Sequence, residues 1–242
     1  IDNYNMKNKE LERYRNCIET TEVRCLIFDF DGTLAETEEA HRKAFNKAFQ
    51  ANKLGWNWDQ HIYRRLLQVA GGKERIEFYN KSFSSNSKQI SSRDIEEIHL
   101  QKTKFYMQSV SQGFVQLRPG IREFLKKAKY NKKKLAISTS TSHDNVTLLL
   151  KSCLNENPKD IFSFISTGDL VKKKKPSPDL YELVLEEMNL MPEECLAFED
   201  NRIGLVSAKR ANINTVVNPS QYSVGDNFDE ADYFLTSFLF EQ

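Results

Sequence analysis

The sequence predicts an α/β fold: a doubly wound parallel sheet with an all-helical unit inserted after its first strand. Three observations carry that expectation. Residues 23–28 form a short, nearly continuous apolar run that breaks into Asp29-Phe30-Asp31-Gly32, as a strand buried on both faces opens into a loop. No second run of that kind occurs between residues 36 and 113, where apolar residues recur at helical spacing instead. After Pro119-Gly120 helix-like and strand-like segments alternate, the pattern of a parallel sheet with helices on its faces.

Taken in order, residues 1–21 are polar and rich in Asn, Lys and Glu, with weak periodicity in Leu11, Tyr14 and Ile18, and read as an appended helix or frayed arm. Residues 23–28 are the first strand. In the insert, Ala44, Phe45, Ala48 and Phe49, then Ile62, Leu66 and Leu67, mark helices, and Trp56 and Trp58 read as packing residues. Helix is then expected at 121–129, strand at 135–139, helix at 144–153, strand at 161–166 and helix at 177–188. Strand at 195–198, helix at 202–210 and short strands at 215–217 and 233–235 complete the sheet. The implied division is an N-terminal extension at 1–21, a core made of 22–36 and 114–242, and a helical cap at 37–113. Ligands of such sheets bind beyond the carboxyl ends of the strands. There Asp29 and Asp31 follow one strand, Thr139 closes another, and Glu199-Asp200 follow a third.

Composition limits the function classes. Lys plus Arg number 35 against 34 Asp plus Glu, a net charge of +1, so an extended basic surface for nucleic acid is not expected. Apolar runs such as 25–28 and 148–150 fall far short of the roughly 18 residues of a membrane span, and a soluble chain is expected. Cys17, Cys25, Cys153 and Cys195 are scattered without zinc-site spacing and read as free thiols of a reducing compartment. The chain starts at Ile1 with no apolar signal segment, which suggests a processed or truncated form.

Asp29 and Asp31 stand two residues apart where the chain leaves a strand, so their side chains can share one side while Phe30 turns away. Two carboxylates in one small site repel unless a cation lies between them, and all-oxygen ligation favours a hard ion such as Mg²⁺, with Asp200 as a further ligand. Gly32 permits a tight turn that brings amides towards a phosphate, and Thr33 adds a hydroxyl. For Asp-x-Asp alone, loop capping is an equal alternative. Gly71-Gly72-Lys73-Glu74-Arg75 reads as a glycine turn opening a helix, with free amides and positive charge from Lys73 and Arg75. That makes either a phosphate site or an ordinary exposed helix start.

The string Asp29-Phe30-Asp31-Gly32-Thr33-Leu34 resembles the first motif of the haloacid dehalogenase-type phosphatases, and three further motifs follow in order. These are Thr139 within Ile137-Ser138-Thr139-Ser140-Thr141, Lys175-Pro176-Ser177-Pro178, and Glu199-Asp200-Asn201 with Gly204. The helical insert is similar to the cap of the beta-phosphoglucomutase-like branch. Leu34-Ala35-Glu36-Thr37-Glu38, Gly71-Gly72-Lys73-Glu74-Arg75-Ile76 and Lys175-Pro176-Ser177-Pro178-Asp179 resemble the CbbY-type xylulose-1,5-bisphosphate phosphatases, which clear an inhibitor of Rubisco. Departures are the arm at residues 1–21 and Asn201 where a Ser is common.

The resemblance implies roles residue by residue. Asp29 would be the nucleophile that forms an aspartyl phosphate, and Asp31 the acid and then the base. Lys175 is selected from the lysine run at 172–175 to neutralise phosphate and Asp29, the other three forming a solvated face. Thr139 and the amide of Ser140 would donate to phosphoryl oxygens. Mg²⁺ would be held by Asp29, Asp200 and the Asp31 carbonyl, with Glu199 in the outer shell or as an additional ligand. Gly72, Lys73 and Arg75 would take a second phosphate. Glu36 and His41 would bind sugar hydroxyls or else be exposed helix residues, with Tyr63, Arg64 and Arg118 as lesser candidates. Cap closure would exclude water from the reaction. The implied partner is a small phosphosugar, without nucleic acid or membrane, acted on by a monomer in the cytoplasm, or in a plastid stroma if the source is photosynthetic. Rival readings are a phosphosugar mutase using the same groups and a catalytically idle binding member; a dehalogenase has no use for Asp31.

Overall fold

The computed structural model describes residues 19–69, 71–83, 89–154 and 156–238. Most of the arm expected at 1–21, including Leu11, Tyr14, Ile18 and Cys17, lies outside them. The backbone divides into two compact units, one of Ile1–Glu36 with Leu117–Gln242 and one of Thr37–Gln116.

The first unit is built on a six-stranded sheet of order β3-β2-β1-β4-β5-β6. Its strands are β1 (Cys25–Phe28), β2 (Lys134–Ser138), β3 (Phe164–Ser166), β4 (Cys195–Glu199), β5 (Asn214–Val217) and β6 (Tyr233–Phe234), and every pairing is parallel. Between them run α5 (Ile121–Tyr130), α6 (His143–Leu154), α7 (Pro158–Ile161), α8 (Asp179–Met188) and α9 (Arg202–Arg210). The central strand β1 is buried at all four residues, and its alternate side chains enter two different cores. Cys25 and Ile27 join Tyr181 and Val184 of α8 and Ala208 of α9. Phe28 faces the other way, stacked on Phe198 at 4.8 Å between ring centroids and edge-on to Phe124 of α5 at 5.9 Å. That two-sided burial is why the strand reads as an unbroken apolar run.

One expected strand is shorter than the sequence suggested. Residues 161–166 are not strand throughout: Ile161 ends the one-turn helix α7, and Phe164–Ser166 pair with β2. Pro158 enters at the start of that turn, where its fixed φ suits a helix, and the Asn157 side chain accepts from Lys159 N at 3.2 Å.

The second unit contains α1 (Glu38–Ala51), α2 (Gln60–Leu66), α3 (Gly72–Phe83) and α4 (Ser92–Ser111). It ends at Gln116, beyond the boundary at 113 read from the sequence, because the return to the sheet unit is set at Leu117 by its antiparallel bridge to Ala35. Helix α4 opens on a capping box, in which Ser91 and Asp94 each serve the other's backbone N–H. Phe45 and Phe49 of α1 pack on the fully buried Trp58, each with ring centroids 4.7 Å away, and Trp56 lies edge-on to Tyr79 at 5.2 Å. Both tryptophans therefore serve packing.

Within the sheet unit the loop after β1 is held from one side by Arg118. Its guanidinium donates to the carbonyls of Gly32 at 2.7 Å, Asn218 at 2.8 Å and Pro219 at 3.0 Å, while its backbone N–H bonds Leu34 O at 2.9 Å. A side chain read as a weak substrate ligand is thus a brace joining the loops after β1 and β5. Arg118→Met should cost about 1.5–3 kcal/mol in denaturant unfolding, because three carbonyls lose a charged donor together. Arg118→Lys should recover little of it, since an ammonium cannot reproduce the planar fork. Unchanged stability in the Met variant would show that other contacts hold the loop.

Candidate active site

The sheet unit delivers chemical groups at the carboxyl ends of three adjacent strands, β2, β1 and β4. Asp29 follows β1 directly, its N–H bonded to Phe198 O at 2.9 Å, and is 5% exposed. Glu199 ends β4 and Asp200 follows it, both buried. One carboxylate oxygen from each of Asp29, Glu199 and Asp200 lies within 4.8 Å of the others.

Lys175 enters this cluster from the segment before α8. Its Nζ donates to Asp29 Oδ1, Glu199 Oε1 and Ser138 O, each at 2.7 Å. Three donors thus meet three acceptors, one from each strand end. In the lysine run only Lys175 is buried while Lys172, Lys173 and Lys174 are exposed. Tyr181 of α8 completes the group, its hydroxyl donating to Glu199 Oε1 at 2.5 Å and its ring lying 5.1 Å from Lys175 Nζ.

Charge at this site is unbalanced. Burial, followed by the negative charge of Glu199 and Asp31, outweighs Lys175 and pushes the Asp29 carboxyl up to about 8. Burial alone would lower Lys175, but Asp29 and Glu199 raise it to about 12, so the ammonium keeps its proton. The single charge of Lys175 does not by itself balance three buried carboxylates. Glu199 Oε2 is also buried without a hydrogen-bond partner among the described residues. Hard oxygen donors, excess negative charge and an unsatisfied carboxylate oxygen suit a divalent cation.

Two glycines lie against these carboxylates. A Cβ on Gly32, whose φ of 90° already disfavours a side chain, would overlap the Asp200 carboxylate, and a Cβ on Gly204 would overlap that of Glu199. Asn201 caps α9 by accepting from Gly204 N at 2.9 Å, and its Nδ2 donates to Asp200 Oδ1 at 2.7 Å. The residue that departs from the usual Ser thus caps a helix and orients a carboxylate at once.

Asp31 is placed differently from Asp29. Its Oδ2 accepts a hydrogen bond from the Thr141 hydroxyl, so the second carboxylate of the loop is held from the loop after β2. Thr139 is buried, its Oγ1 accepting from Thr141 N at 3.1 Å, and Ser140 is half-buried beside it. Glu36 lies in the sheet unit with its side chain 43% exposed and its Oε1 3.3 Å from Arg118 Nε.

The remaining expected site residues belong to the helical unit. His41 is buried, which removes the exposed-residue alternative for it, and Tyr63 is buried with its hydroxyl donating to Glu38 at 2.8 Å. Gly72 opens α3, Arg75 Nε donates to Val69 O at 2.9 Å, and Lys73 lies 3.9 Å from Glu96. Sequence reasoning missed Tyr181 and Thr141. The first sits on the apolar stripe of a helix and looks like core, and the second stands in the same hydroxyl-rich string from which Thr139 was chosen.

Comparison with known proteins agrees with this geometry. The model of the family described as "Haloacid dehalogenase-like hydrolase" matches residues 26–218. The Protein CbbY of Rhodobacter capsulatus is 44% identical over 212 residues, covering 88% of this chain and 92% of the relative. The crystal structure of CbbY from Rhodobacter sphaeroides in complex with phosphate has a TM-score of 0.83 at 41% identity, covering 89% of this chain and 95% of that one. A mutant of the same protein in complex with xylulose-(1,5)bisphosphate gives a TM-score of 0.83 at 40% identity over the same shares. Four ordered motifs, a parallel sheet that gathers them at its strand ends, and relatives matched over nearly their whole length converge: the chain belongs to the haloacid dehalogenase-like hydrolase family, on its CbbY-type branch.

Proposed function

We propose that the chain is a Mg²⁺-dependent phosphatase that hydrolyses a sugar bisphosphate, xylulose 1,5-bisphosphate being the foremost candidate, through an aspartyl phosphate on Asp29. The observation that carries this reading is the buried constellation of Asp29, Lys175, Glu199 and Asp200. The choice of substrate is supported by the CbbY relative whose structure holds that bisphosphate.

Lys175 holds Asp29 through Oδ1, while Oδ2 keeps a long 3.4 Å contact from the Thr33 hydroxyl. In the first step a carboxylate oxygen of Asp29 attacks phosphorus, the bond from phosphorus to the sugar oxygen breaks, and Asp31 gives its proton to that oxygen. In the second step water attacks phosphorus, Asp31 takes the proton from water, and the bond to Asp29 breaks to release phosphate. Thr139 and the Ser140 amide donate to phosphoryl oxygens, and Lys175 offsets their charge. Asp29, Asp200, Glu199 and the Asp31 carbonyl would hold Mg²⁺, which supplies charge neutralisation on the transferring phosphoryl group. Glu36 and His41 bind the sugar, and Gly72, Lys73 and Arg75 bind the distal phosphate.

Phosphate release from a panel of sugar phosphates tests the reading, with xylulose 1,5-bisphosphate expected to give the highest kcat/KM. Asp29→Asn should reduce turnover to background while the fold survives, because a neutral amide cannot attack phosphorus. Retained activity, or phosphate trapped on another residue, would remove Asp29 from its role.

The metal site makes a pH-dependent prediction. With Asp29 raised from 3.8 to about 8, the metal-free folded chain binds more protons than the unfolded chain across that interval. This contribution to stability is full below 3.8 and lost as pH rises through the folded value. Mg²⁺ competes with that proton, so the rise in Tm on adding Mg²⁺ should be larger at pH 8 than at pH 6. An equal or smaller rise at pH 8 would place the ion elsewhere.

The distal site is tested by substrate comparison. Lys73→Ala or Arg75→Ala should lower kcat/KM for a bisphosphate by about ten- to a hundred-fold, since a charge-assisted contact is worth about 1.5–3 kcal/mol. A monophosphate should be affected little. Equal losses on both would indicate a general defect of the helical unit, and no loss on either would move the distal site.

A further inference from the structure

One side chain of the sheet unit touches two members of the buried constellation from within the hydrophobic core. Tyr181 of α8 is fully buried, and it packs with Cys25 and Ile27 of β1, Ala136 of β2 and Ala197 of β4. Its hydroxyl donates to Glu199 Oε1 at 2.5 Å, and its ring lies 5.1 Å from Lys175 Nζ. Strand register explains how a core residue reaches these groups. Phe28 pairs with Ile137 on one side and Phe198 on the other, so Ser138, Asp29 and Glu199 follow one step on as a row across β2, β1 and β4. Alternation puts that row on the face of Ala136, Ile27 and Ala197, which is the face that Tyr181 covers.

The two oxygens of Glu199 are held unequally. Oε1 accepts from both Tyr181 and Lys175, whereas Oε2 is buried with no hydrogen-bond partner among the described residues and lies where a Cβ on Gly204 would fall. The last torsion of a glutamate is broad and roughly two-fold, so with Lys175 as sole donor the carboxylate could present either oxygen to the ammonium. A second donor, fixed in a packed core and converging on the same oxygen, removes that choice. The phenol suits the task. Burial, and then the charge of Glu199 and Asp29, pushes it well above its ordinary range, so the hydroxyl keeps the proton it donates. Its ring face meanwhile favours an ammonium at the place from which Lys175 reaches Asp29 Oδ1.

We propose that Tyr181 is a positioning residue for phosphoryl transfer: acting through Glu199 and Lys175, it leaves Glu199 Oε2 open to the cation site and keeps the ammonium on Asp29 Oδ1. This rests on the reading that the constellation binds Mg²⁺ and transfers phosphate. It gives the core side of α8 a part in that chemistry, although Tyr181 touches neither substrate nor metal.

The test compares wild type, Tyr181→Phe, Tyr181→Leu and, as a packing control in the same core, Val184→Ala. Calorimetric titration of Mg²⁺ into the chelator-treated full chain reads affinity without substrate, and phosphate release from xylulose 1,5-bisphosphate at saturating Mg²⁺ gives kcat and KM. Tyr181→Phe keeps the ring and loses the donor, so Mg²⁺ affinity and kcat should each fall about ten-fold, as for one lost hydrogen bond to a charged group, while KM changes little. Tyr181→Leu removes the ring as well and should lower kcat further. Val184→Ala should lower Tm and leave Mg²⁺ affinity and kcat unchanged. Wild-type affinity or wild-type kcat in Tyr181→Phe would overturn the proposal whatever its Tm. Equal losses in Val184→Ala would overturn it too, since they would mark a general defect of packing. If the wild type binds Mg²⁺ yet releases phosphate from no sugar phosphate, the functional reading falls, and the affinity of Tyr181→Phe still decides whether the tyrosine positions Glu199.

Discussion

The buried ammonium of Lys175 is the interaction on which the sheet unit's chemistry depends. It satisfies one oxygen from each of β2, the end of β1 and β4, which are the three central neighbours of the sheet. Buried carboxylates are costly unless paired, and removing one member of a buried pair strands the other. Without this lysine Asp29 Oδ1 and Glu199 Oε1 would each lose a buried charged donor at 2.7 Å. The parallel topology makes the arrangement available, since it brings every carboxyl end to the same edge of the sheet. The helices supply the rest, α8 contributing Tyr181 beneath Glu199 and α9 presenting its first turn to the Glu199 carboxylate.

Legibility of the fold followed burial. Strand β1 could be read because both of its faces are covered, so its sequence has no polar alternation to blur it. The segment at 161–166 was over-read because an apolar residue looks the same whether it ends a helical turn or enters a strand, and Pro158 decided between them. Residues of the candidate site were legible where local pattern fixes their place. Asp29, Asp31, Glu199 and Asp200 are announced by strand ends, and Lys175 was separable from its lysine neighbours through the motif it begins. The supporting side chains were hidden for a physical reason. Tyr181 reaches a residue eighteen positions away and Arg118 a carbonyl a hundred positions away, and periodicity carries no information about such contacts. The buried Lys102 of α4 was hidden twice over, since a lysine on a long polar helix reads as solvated.

The two units are stabilised in different ways. The sheet unit relies on aliphatic and aromatic side chains packed from both faces of a parallel sheet, and its buried carboxylates Asp29, Glu199 and Asp200 gather at the strand ends. The helical unit relies on a cluster of rings from Phe45, Phe49, Trp58, Tyr63 and Tyr79. Ring clusters tolerate a cation on their faces in a way that aliphatic cores do not. Lys102 lies inside this small helical core with its Nζ 4.7 Å from the centroid of the Phe45 ring and 3.0 Å from His41 Nδ1.

Glu199 and Gly204 lie on either side of a tight strand-to-helix junction, and each occupies room the other lacks. The same holds for Asp200 and Gly32, which come from different ends of the chain. Space therefore couples these four positions as two pairs. A lineage could shorten the acid at 199 and then admit a methyl group at 204, but it could not take the second step first. Steric order of this kind restricts the routes by which such a site can drift, independently of any selection on its charge.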